Sequence, residues 1–486
     1  MTCPRTPVLV GIGVIQQREE GAAIALEPID LMIAAVRAAG RDCGVEGALR
    51  EVERIAVPRG RWSYRNPAGE VGRAIGAGNA KTVLSSVGVL QQSLIADACE
   101  RIAAGEIGIA LVTGGDAGYR LLRARLSGHD APERQQDHDP DELLDPAAEL
   151  RHPIEIAAGL LMPVGLYAIL DSAARHRAGV SVAAHRDQLA DLYARFSVIA
   201  ADNPHSWDRQ LRRAEEIRDA GPRNPMQAFP YSRAHCSSWN VDQAAALLLC
   251  STERASELGI DRSRWVFPLA SAESNHMVPV AARPDLATCV GAEETMRAVL
   301  AAVGMSPEEI DLFELYSCFP VAVSAFASAL ALPAERDLTV TGSMAYAGGP
   351  YNNYFLQATC RVAELLRAGD GRTALMTCVS GVLTKQAAAI WSSEPSDANF
   401  ARIDVSAAVA ARVEPRPAVM DFSGAGQVAG YTVLYDRDRP PCAVALLDTK
   451  QGRALATSEA TEIVERFEQE DWVQRMVSAR DNELVI

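Results

Sequence analysis

The chain repeats one pattern of helix, glycine and strand, and this repeat constrains its fold more than any other feature. In the first copy a helical stretch ends at Gly40 and a second one ends at Gly105. In the second copy the matching glycines are Gly304 and Gly369, and the spacing is 65 residues in both copies. Apolar, strand-like runs follow each of these helices, as is typical of parallel or mixed sheets covered by helices. We therefore predict an α/β fold in which one unit occurs twice.

Two regions lie outside this repeat. The first, between the two copies, is charged and helical in pattern, and an insertion of this length is a good candidate for a substrate-covering subdomain. The second, at the end of the chain, has short β-rich runs separated by turns such as DRDRPP and KQG. We predict an N-terminal half at 1–118 and 241–265, an inserted loop subdomain at 119–240, a C-terminal half at 266–395, and an additional β-rich, barrel-like domain at 396–486.

The charge balance and apolar content exclude several classes of protein. The chain has 47 basic and 62 acidic residues, a net charge of −15, which argues against bulk binding to nucleic acid or to anionic membranes. No apolar run reaches the roughly 18 residues that a membrane span needs. The stretch QQDHDPDE does not space its oxygen and imidazole groups at helical intervals, so we expect a solvated loop there and no metal site.

The ten cysteines are scattered, and none of them forms a CxxC pair. A disulfide framework is not expected in a chain of this length with such spacing, and we predict reduced thiols in a cytoplasmic protein. The first residues run directly into a strand pattern, so no signal peptide is expected.

Four stretches together resemble the thiolase superfamily: LFELYSCFPVAV, LTVTGSMAYAGGPYNNYFLQ, NVDQAAALLLCST and TCVSGVLTKQ. Within it the chain resembles the thiolase-like protein type 1 group, often labelled acetyl-CoA acetyltransferase, and the resemblance covers about residues 6–395. It implies a duplicated thiolase-like fold of two mixed five-stranded sheets with helices in layers, and this group carries an additional C-terminal domain. It also implies a coenzyme A thioester as substrate or ligand, no permanently bound cofactor, and a homodimer or an accessory protein bound through the C-terminal domain.

Thiolases break or form a carbon–carbon bond next to a thioester with a thiolate nucleophile, an acid/base and two oxyanion holes. Counting back from Gly105, the family's nucleophilic cysteine falls at Gly88, within one residue. Ser85 and Ser86 are near, but an unactivated hydroxyl is a poor substitute for a thiolate, and ordinary helix capping is the simpler explanation for them. Free N–H groups at this helix start suit a thioester oxygen or a phosphate, so Ser85 and Gly88 are predicted to bind the CoA ester.

The second and third loops of the family also differ here. Tyr316 stands where the resemblance implies the residue that orients an oxyanion-hole water, and it could act as a hydrogen-bond donor, as an acid/base or as a packed strand-end tyrosine. Cys318 matches a cysteine of the sterol-carrier branch or is a buried small residue. The Gly-His-Pro loop has Gly349 in place of histidine, so the activating imidazole is missing together with its cysteine. Asn352 and Asn353 follow at the start of a helix, where they could cap it or supply amide hydrogen bonds.

The fourth loop keeps its acid/base cysteine as Cys378, at the end of a buried strand, although cysteine is also common in cores. Gly381 lies one place later than the family's glycine, which weakens the expected backbone oxyanion donor. Lys385 could meet a phosphate or a carbonyl, and exposure to solvent is its default. His235 precedes the second half and could touch substrate or be structural.

Three functions remain open. The first is a thiolase-like acyl-CoA-acting enzyme, an acyltransferase or a carbon–carbon bond-forming or bond-cleaving enzyme, with Cys378 as acid/base or as nucleophile. The second is a retro-aldolase on a CoA ester in which Tyr316 works with Tyr346 or Tyr351 as acid/base. The third is a non-catalytic CoA-thioester binder or scaffold. Ordinary thiolase activity is not expected, because the nucleophilic cysteine and its histidine are both absent.

Overall fold

The structure is a computed structural model that describes residues 3–21, 23–45 and 47–486. Its strands are β1 (Pro7–Gln17), β2 (Arg54–Pro58), β3 (Lys81–Ser85), β4 (Ile109–Ala117), β5 (Glu142–Leu144), β6 (Met226–Ala228), β7 (Tyr231–Ser232), β8 (Asp242–Ser251), β9 (Phe267–Ser274), β10 (Leu312–Glu314), β11 (Thr373–Ser380), β12 (Lys385–Ser392), β13 (Ala401–Asp404), β14 (Ala418–Val419), β15 (Gly424–Leu434), β16 (Cys442–Thr449), β17 (Gly452–Ser458), β18 (Met476–Arg480) and β19 (Glu483–Val485).

The α-helices are α1 (Pro28–Cys43), α2 (Pro67–Ile75), α3 (Gln91–Ala104), α4 (Gly118–Ser127), α5 (Pro153–Ala157), α6 (Pro163–Arg177), α7 (Val182–Asp202), α8 (Ala214–Arg218), α9 (Thr252–Glu257), α10 (Val290–Val303), α11 (Pro320–Ala329), α12 (Ser343–Tyr346), α13 (Tyr354–Ala368), α14 (Ser406–Ala410) and α15 (Thr461–Gln469).

The first sheet has the strand order β1-β8-β4-β2-β3-β5. Strands β4, β2, β3 and β5 are parallel to one another, whereas β8 is antiparallel to both β1 and β4. Every residue of β4 and β8 is buried, as expected for central strands with both faces covered. The sheet has six strands and not the predicted five, because the short β5 from the inserted region adds to the outer edge of β3.

The second sheet repeats this arrangement in the order β10-β11-β12-β9-β13. The pairs β10/β11, β11/β12 and β12/β9 have the same directions as β2/β4, β4/β8 and β8/β1. The predicted duplicated α/β fold is therefore confirmed. Strand β13 extends this sheet by parallel pairing with β9, so the second sheet continues past residue 395.

The helix that follows β1 ends later than the sequence indicates. We placed its end at Gly40, but α1 continues to Cys43 and stops at Gly44, whose φ of 77° is the left-handed conformation that glycine adopts easily. Gly40 lies inside the helix for a packing reason: a Cβ there would be 2.5 Å from the Leu49 side chain. The ends of α3 at Gly105 and α13 at Gly369 agree with the sequence.

The C-terminal region forms a closed barrel, which confirms the predicted barrel-like domain. Strand β15 pairs with β16, β16 with β17, β17 with β19, β19 with β18, and β18 with β15. The β6/β7 hairpin of the inserted region attaches to this barrel through Ala228 and Leu434. Within the described ranges, no helix is long and apolar enough to cross a membrane.

Candidate functional site

The site is centred on Cys378, near the end of β11 and fully buried. The backbone N–H groups of Gln92 and Gln91, at the start of α3, are placed to stabilise its thiolate. Burial is the larger effect and raises the pKa of the thiol to about 12, so Cys378 is a protonated acid near neutral pH. The second-half strand that carries Cys378 and the first-half helix α3 therefore meet at this sulfur.

Tyr316 lies just after β10, the strand that pairs with β11. Its backbone N–H donates to Thr377 Oγ1 at 2.7 Å, which fixes the segment beside β11. Burial, followed by the charges of Cys318 and Cys378, raises the pKa of its phenol well above the usual value. Tyr316 is thus a neutral donor close enough to both cysteines for their charges to interact.

Tyr167, from helix α6 of the inserted region, links the loop of Cys318 to the loop after β11. Its hydroxyl donates to the Gly381 carbonyl at 3.0 Å and accepts from the backbone N–H of Leu383 at 3.2 Å. The same hydroxyl is in hydrogen-bonding contact with Cys318, and its ring packs on Phe319 with centroids 4.6 Å apart. One fully buried side chain from outside the repeat therefore sets the relative position of two site loops.

Gly88 lies against the inserted region. Its φ is 108°, and a Cβ at this position would be 2.8 Å from Pro146 Cγ and 3.6 Å from Leu150 Cδ1. Leu150 also contacts the other side of the site, where a Cβ on Gly381 would be 2.9 Å from Leu150 Cδ2. Leu150 therefore fills the space between the two glycines, and Pro146 occupies the place that a side chain at residue 88 would need.

The starts of the two central helices are joined directly. Gln91 Oε1 accepts a hydrogen bond from the backbone N–H of Phe355 at 2.8 Å, and Gln91 Nε2 donates to Asn352 Oδ1 at 3.4 Å. Asn352 also donates to the Arg59 carbonyl at 3.1 Å. Asn352 is thus beside the site at the boundary between the halves, in a left-handed conformation with a φ of 53°.

Gly349 lies close to Cys318 through a short linking segment. Its N–H donates to the Ser238 carbonyl at 2.8 Å, and the neighbouring Ser237 hydroxyl donates to the Cys318 carbonyl at 3.0 Å. A Cβ on Gly349 would lie 3.3 Å from Ser237 Cβ. The loop that lacks the family's histidine therefore borders the Cys318 loop.

A second polar cluster adjoins the site on the side of Cys318. It contains Tyr346 and His235, both predicted from the sequence, together with Tyr193, whose ring centroid is 5.1 Å from that of His235 and 6.5 Å from that of Tyr346. The two tyrosine hydroxyls and His235 Nε2 are buried and have no hydrogen-bond partner among the described residues. Burial lowers the pKa of His235 to about 3, and it raises the pKa of Tyr346. Tyr346 and His235 therefore have the ring of Tyr193 as a common neighbour. The expected cooperation of Tyr346 with Tyr316 remains a prediction.

Two predicted residues pack against strands of the first sheet. Ser85 ends β3, pairs with Pro58 and Leu144 on the flanking strands, and has a buried hydroxyl without a partner in the described ranges. Asn353 occupies the N-cap position of α13 but does not cap it, and its amide packs against Gly114 of β4. The structure thus places these two polar groups beside the first sheet.

Lys385 departs most from the sequence-based expectation. It was expected to be exposed, but it is only 4% exposed and stands opposite Ser380 in the β11/β12 pair. Sequence reasoning missed the side chains of Tyr167 and Gln91, and it named Lys385 but missed its burial. The inserted region shows only a helical pattern at Tyr167, so no local signal marks it; the polar residues Gln91 and Gln92 at the predicted helix start were the available clue.

No protein-family model matches the chain. Over 100% of both chains it matches the crystal structure of a monomeric SCP2-thiolase like protein type 1 from Mycobacterium smegmatis, with 28% identity and a TM-score of 0.84. It also matches an Ltp2-ChsH2(DUF35) aldolase over 79% of this chain and 98% of that one, at 16% identity and a TM-score of 0.61. An acetyl-CoA acetyltransferase from Syntrophomonas wolfei matches over 80% and 99%, at 19% identity and a TM-score of 0.54. The last two similarities concern the fold alone.

Proposed function

We propose that this chain, a member of the thiolase superfamily, acts on acyl-CoA thioesters and forms or breaks a carbon–carbon bond without an acyl-cysteine at the start of α3. The full-length match confirms the resemblance to the thiolase-like protein type 1 group. The CoA thioester itself is inferred from that resemblance, as is the absence of a permanently bound cofactor.

The observation that carries the proposal is the contrast between Gly88 and Cys378. At Gly88 there is no nucleophile, and Pro146 fills the space in which one would stand. Cys378 remains near the end of β11, where it faces the start of α3 and lies near Tyr316. A site that keeps its acid/base cysteine but has no room for the acyl-accepting one favours chemistry through an enolate over acyl transfer to the protein.

The proposed reaction in the cleavage direction is a retro-aldol step on a β-hydroxyacyl thioester. The β-hydroxyl gives its proton to the solvent, the bond between Cα and Cβ breaks, and its electron pair leaves a thioester enolate beside the new carbonyl product. The enolate then takes a proton at Cα, and the sulfur that supplied this proton regains one from the solvent. Cys378, protonated at neutral pH, is the acid that returns a proton to Cα, and the neutral phenol of Tyr316 donates a hydrogen bond to the enolate oxygen. In the synthetic direction the same sulfur removes this proton, after it has lost its own proton to become a thiolate.

A non-catalytic CoA-thioester binder is the second candidate, and one observation favours it. Leu150 fills the space between Gly88 and Gly381, and Cys378 is fully buried. A substrate that enters between these two glycines must displace Leu150. If this segment stays in place, CoA esters bind at the rim and remain unchanged. The DUF35 component named for the aldolase match supports an accessory protein as a possible partner, with the C-terminal barrel as its proposed docking domain.

Mass spectrometry of the protein incubated with saturated and β-hydroxyacyl-CoA esters separates these functions. Free aldehyde or ketone with a shortened CoA ester supports cleavage, an acyl adduct on Cys378 supports transfer, and an unchanged bound ester supports the binder. For the enzyme, Cys378→Ala and Tyr316→Phe should each lower turnover at least tenfold, about 1.4 kcal/mol of barrier. Cys360→Ala, at another buried cysteine in α13, is the matched control and should retain activity.

A further inference from the structure

A cavity of about 320 Å³ lies at the outer edge of the first sheet, where β1 is the terminal strand. Its apolar floor consists of Ile12 and Val14 of β1 and Ala38 of α1. The volume is at the lower end of the range for sites that bind small molecules. None of its lining residues belongs to the site around Cys378, so this cavity is a separate place in the molecule.

Charged side chains from four parts of the chain complete the wall of the cavity. They are Asp42 at the end of α1, His205 of the inserted region, Arg264 before β9, and Glu364 and Arg367 of α13. The two halves and the inserted region therefore meet here.

Asp42 is fully engaged by groups of the protein. Its carboxylate accepts a hydrogen bond from the backbone N–H of Ile12 at 2.9 Å. It also accepts from Arg264 Nη1 at 3.0 Å and from Arg367 Nη1 at 2.7 Å. A cation in the cavity would have to break one of these pairs, so the carboxylate does not favour a cationic ligand.

Glu364 is engaged in the same way. It is bonded to His205 Nε2 at 2.6 Å and accepts from Arg361 Nη1 at 3.1 Å. With Arg361 counted, three guanidinium groups share two carboxylates in and around the cavity. One positive charge is therefore left over even when His205 is neutral.

Arg367 carries the unused hydrogen-bond donors. Its side chain is only 9% exposed, and its Nη1 is bonded to Asp42. Nε and Nη2, the two nitrogens along one edge of the guanidinium, are buried and have no partner among the described residues. Buried N–H groups are nearly always satisfied in proteins, so an unpaired edge needs an acceptor. Two parallel N–H donors match the two oxygens of a carboxylate.

We propose that this cavity binds a small organic carboxylate, whose two oxygens accept from Nε and Nη2 of Arg367 and whose short apolar body lies on the floor formed by Ile12, Val14 and Ala38. Since both nitrogens are covered, binding turns the end of the Arg367 side chain toward the cavity. Arg264, whose side chain is 48% exposed, adds a second positive charge on the solvent side. A neutral molecule of the same size would leave the surplus charge and the paired donors unsatisfied.

Thermal unfolding in sodium butyrate, which replaces sodium chloride stepwise at constant ionic strength, tests the ligand class. Butyrate should raise the unfolding midpoint in a saturable way, because a ligand that binds only the folded state stabilises it. Butyramide, which lacks the charge, and inorganic phosphate, which lacks the apolar body, should each give a smaller shift at equal concentration. No shift with butyrate, or an equal shift with butyramide, overturns the proposal. A larger shift with phosphate overturns the assignment to an organic carboxylate.

Two variants test the location, each compared with its own midpoint without butyrate. Arg367→Lys keeps a positive charge beside Asp42 but lacks the paired donors, and it should bind butyrate about tenfold more weakly. Ala38→Leu keeps the guanidinium and fills the floor, so it should also weaken binding, and it keeps the test decisive if Arg367→Lys does not fold. Arg175→Lys is the matched control, at a buried arginine paired with a carboxylate outside the cavity, and should bind butyrate like the wild type.

Unchanged butyrate binding in a folded Arg367→Lys or Ala38→Leu protein overturns the proposal, because butyrate then binds elsewhere. No step of these measurements uses an acyl-CoA, so their outcome is independent of whether the proposed reaction occurs.

Discussion

Gln91, the first residue of α3, accepts a hydrogen bond from the backbone N–H of Phe355 in the first turn of α13 at 2.8 Å. The two helices are counterparts in the duplicated halves, so one side chain joins their starts. The same helix start supplies the N–H groups that face Cys378. The site is therefore built across the boundary between the halves, and its geometry depends on that contact.

Replacing Gln91 with leucine should destabilise the protein by about 1–3 kcal/mol, because the buried N–H of Phe355 would lose its acceptor. Urea unfolding measures the change. Gln92→Leu is the matched control: Gln92 donates to the Ser271 hydroxyl at 3.0 Å, so no backbone group loses its partner and the cost should be smaller. Equal losses of unfolding free energy in the two variants would show that the bond from Phe355 to Gln91 stabilises the protein no more than the bond from Gln92 to Ser271.

Much of the fold could be predicted because its signals are local and repeated. The spacing from Gly304 to Gly369 reports helix and strand lengths within one unit, and the same unit occurs earlier in the chain. Tyr316 and Cys378 could be named as neighbours because both lie near the ends of adjacent strands, β10 and β11, where strand topology brings them together. Their chemical roles remain predictions.

The contribution of the inserted region could not be predicted. The bond from Tyr167 to Gly381 joins residues 214 positions apart, and no periodicity in α6 indicates which loop it will meet. The same holds for Pro146 over Gly88, a contact decided by tertiary packing. Burial of Lys385 was missed because a charged residue at a strand start is usually solvated, and only the packed sheet face reverses that expectation.

A cysteine introduced at residue 88 should destabilise the otherwise unchanged protein. Gly88→Cys should be destabilising for two reasons, the φ of 108° and the overlap of its Cβ with Pro146, each costing about 1–3 kcal/mol. Gly44→Ala isolates the first reason, since Gly44 also has a positive φ but has open space around it. Adding Pro146→Gly should recover part of the loss in Gly88→Cys. Thermal unfolding of the four proteins measures this, and a Gly88→Cys no worse than Gly44→Ala would contradict it.

Removing the Tyr167 hydroxyl should loosen the site loops without leaving a cavity in the core. Tyr167→Phe leaves the ring in place but takes the partner from the Leu383 N–H and the Gly381 carbonyl, at an expected cost of about 1–3 kcal/mol. Turnover of any CoA-ester reaction should fall as the loops separate. Tyr193→Phe is a close control, because that buried hydroxyl has no partner within the described part of the chain and its loss should be neutral or stabilising. Comparable losses in both variants would contradict the role given to Tyr167.

Acid should destabilise the protein through His235. Its pKa is about 3 in the folded state and about 6.5 in an unfolded chain, so between these values only the unfolded state binds the proton. Stability from this residue is complete above pH 6.5 and is lost as the pH falls, by up to ~1.4 kcal/mol per pH unit. His235→Gln should flatten the curve of unfolding free energy against pH from 4 to 6.5. Asp242, whose pKa is raised to about 6, stabilises the folded state as the pH falls. Because Asp242 is present in both the wild type and His235→Gln, its contribution cancels when the two unfolding free energies are subtracted. If the curves of the wild type and of His235→Gln stay parallel, a residue other than His235 causes the acid sensitivity.

The outer edge of the first sheet should keep this chain from pairing with a second copy through β3. An open strand edge is a template for another strand, but here β5 occupies the edge of β3. Glu142 anchors β5 by ion pairs with Arg54 at 2.6 Å and with Lys81 at 3.0 Å, and Arg54 holds the pKa of Glu142 down at about 2.

Although the resemblance raised the expectation of a homodimer, we predict a monomer in light scattering at micromolar concentration. Glu142→Arg should release β5 and give concentration-dependent association, whereas Asp137→Arg, with the same charge change in the exposed loop before β5, should not. A wild-type dimer that survives Glu142→Arg would show that copies associate through another surface.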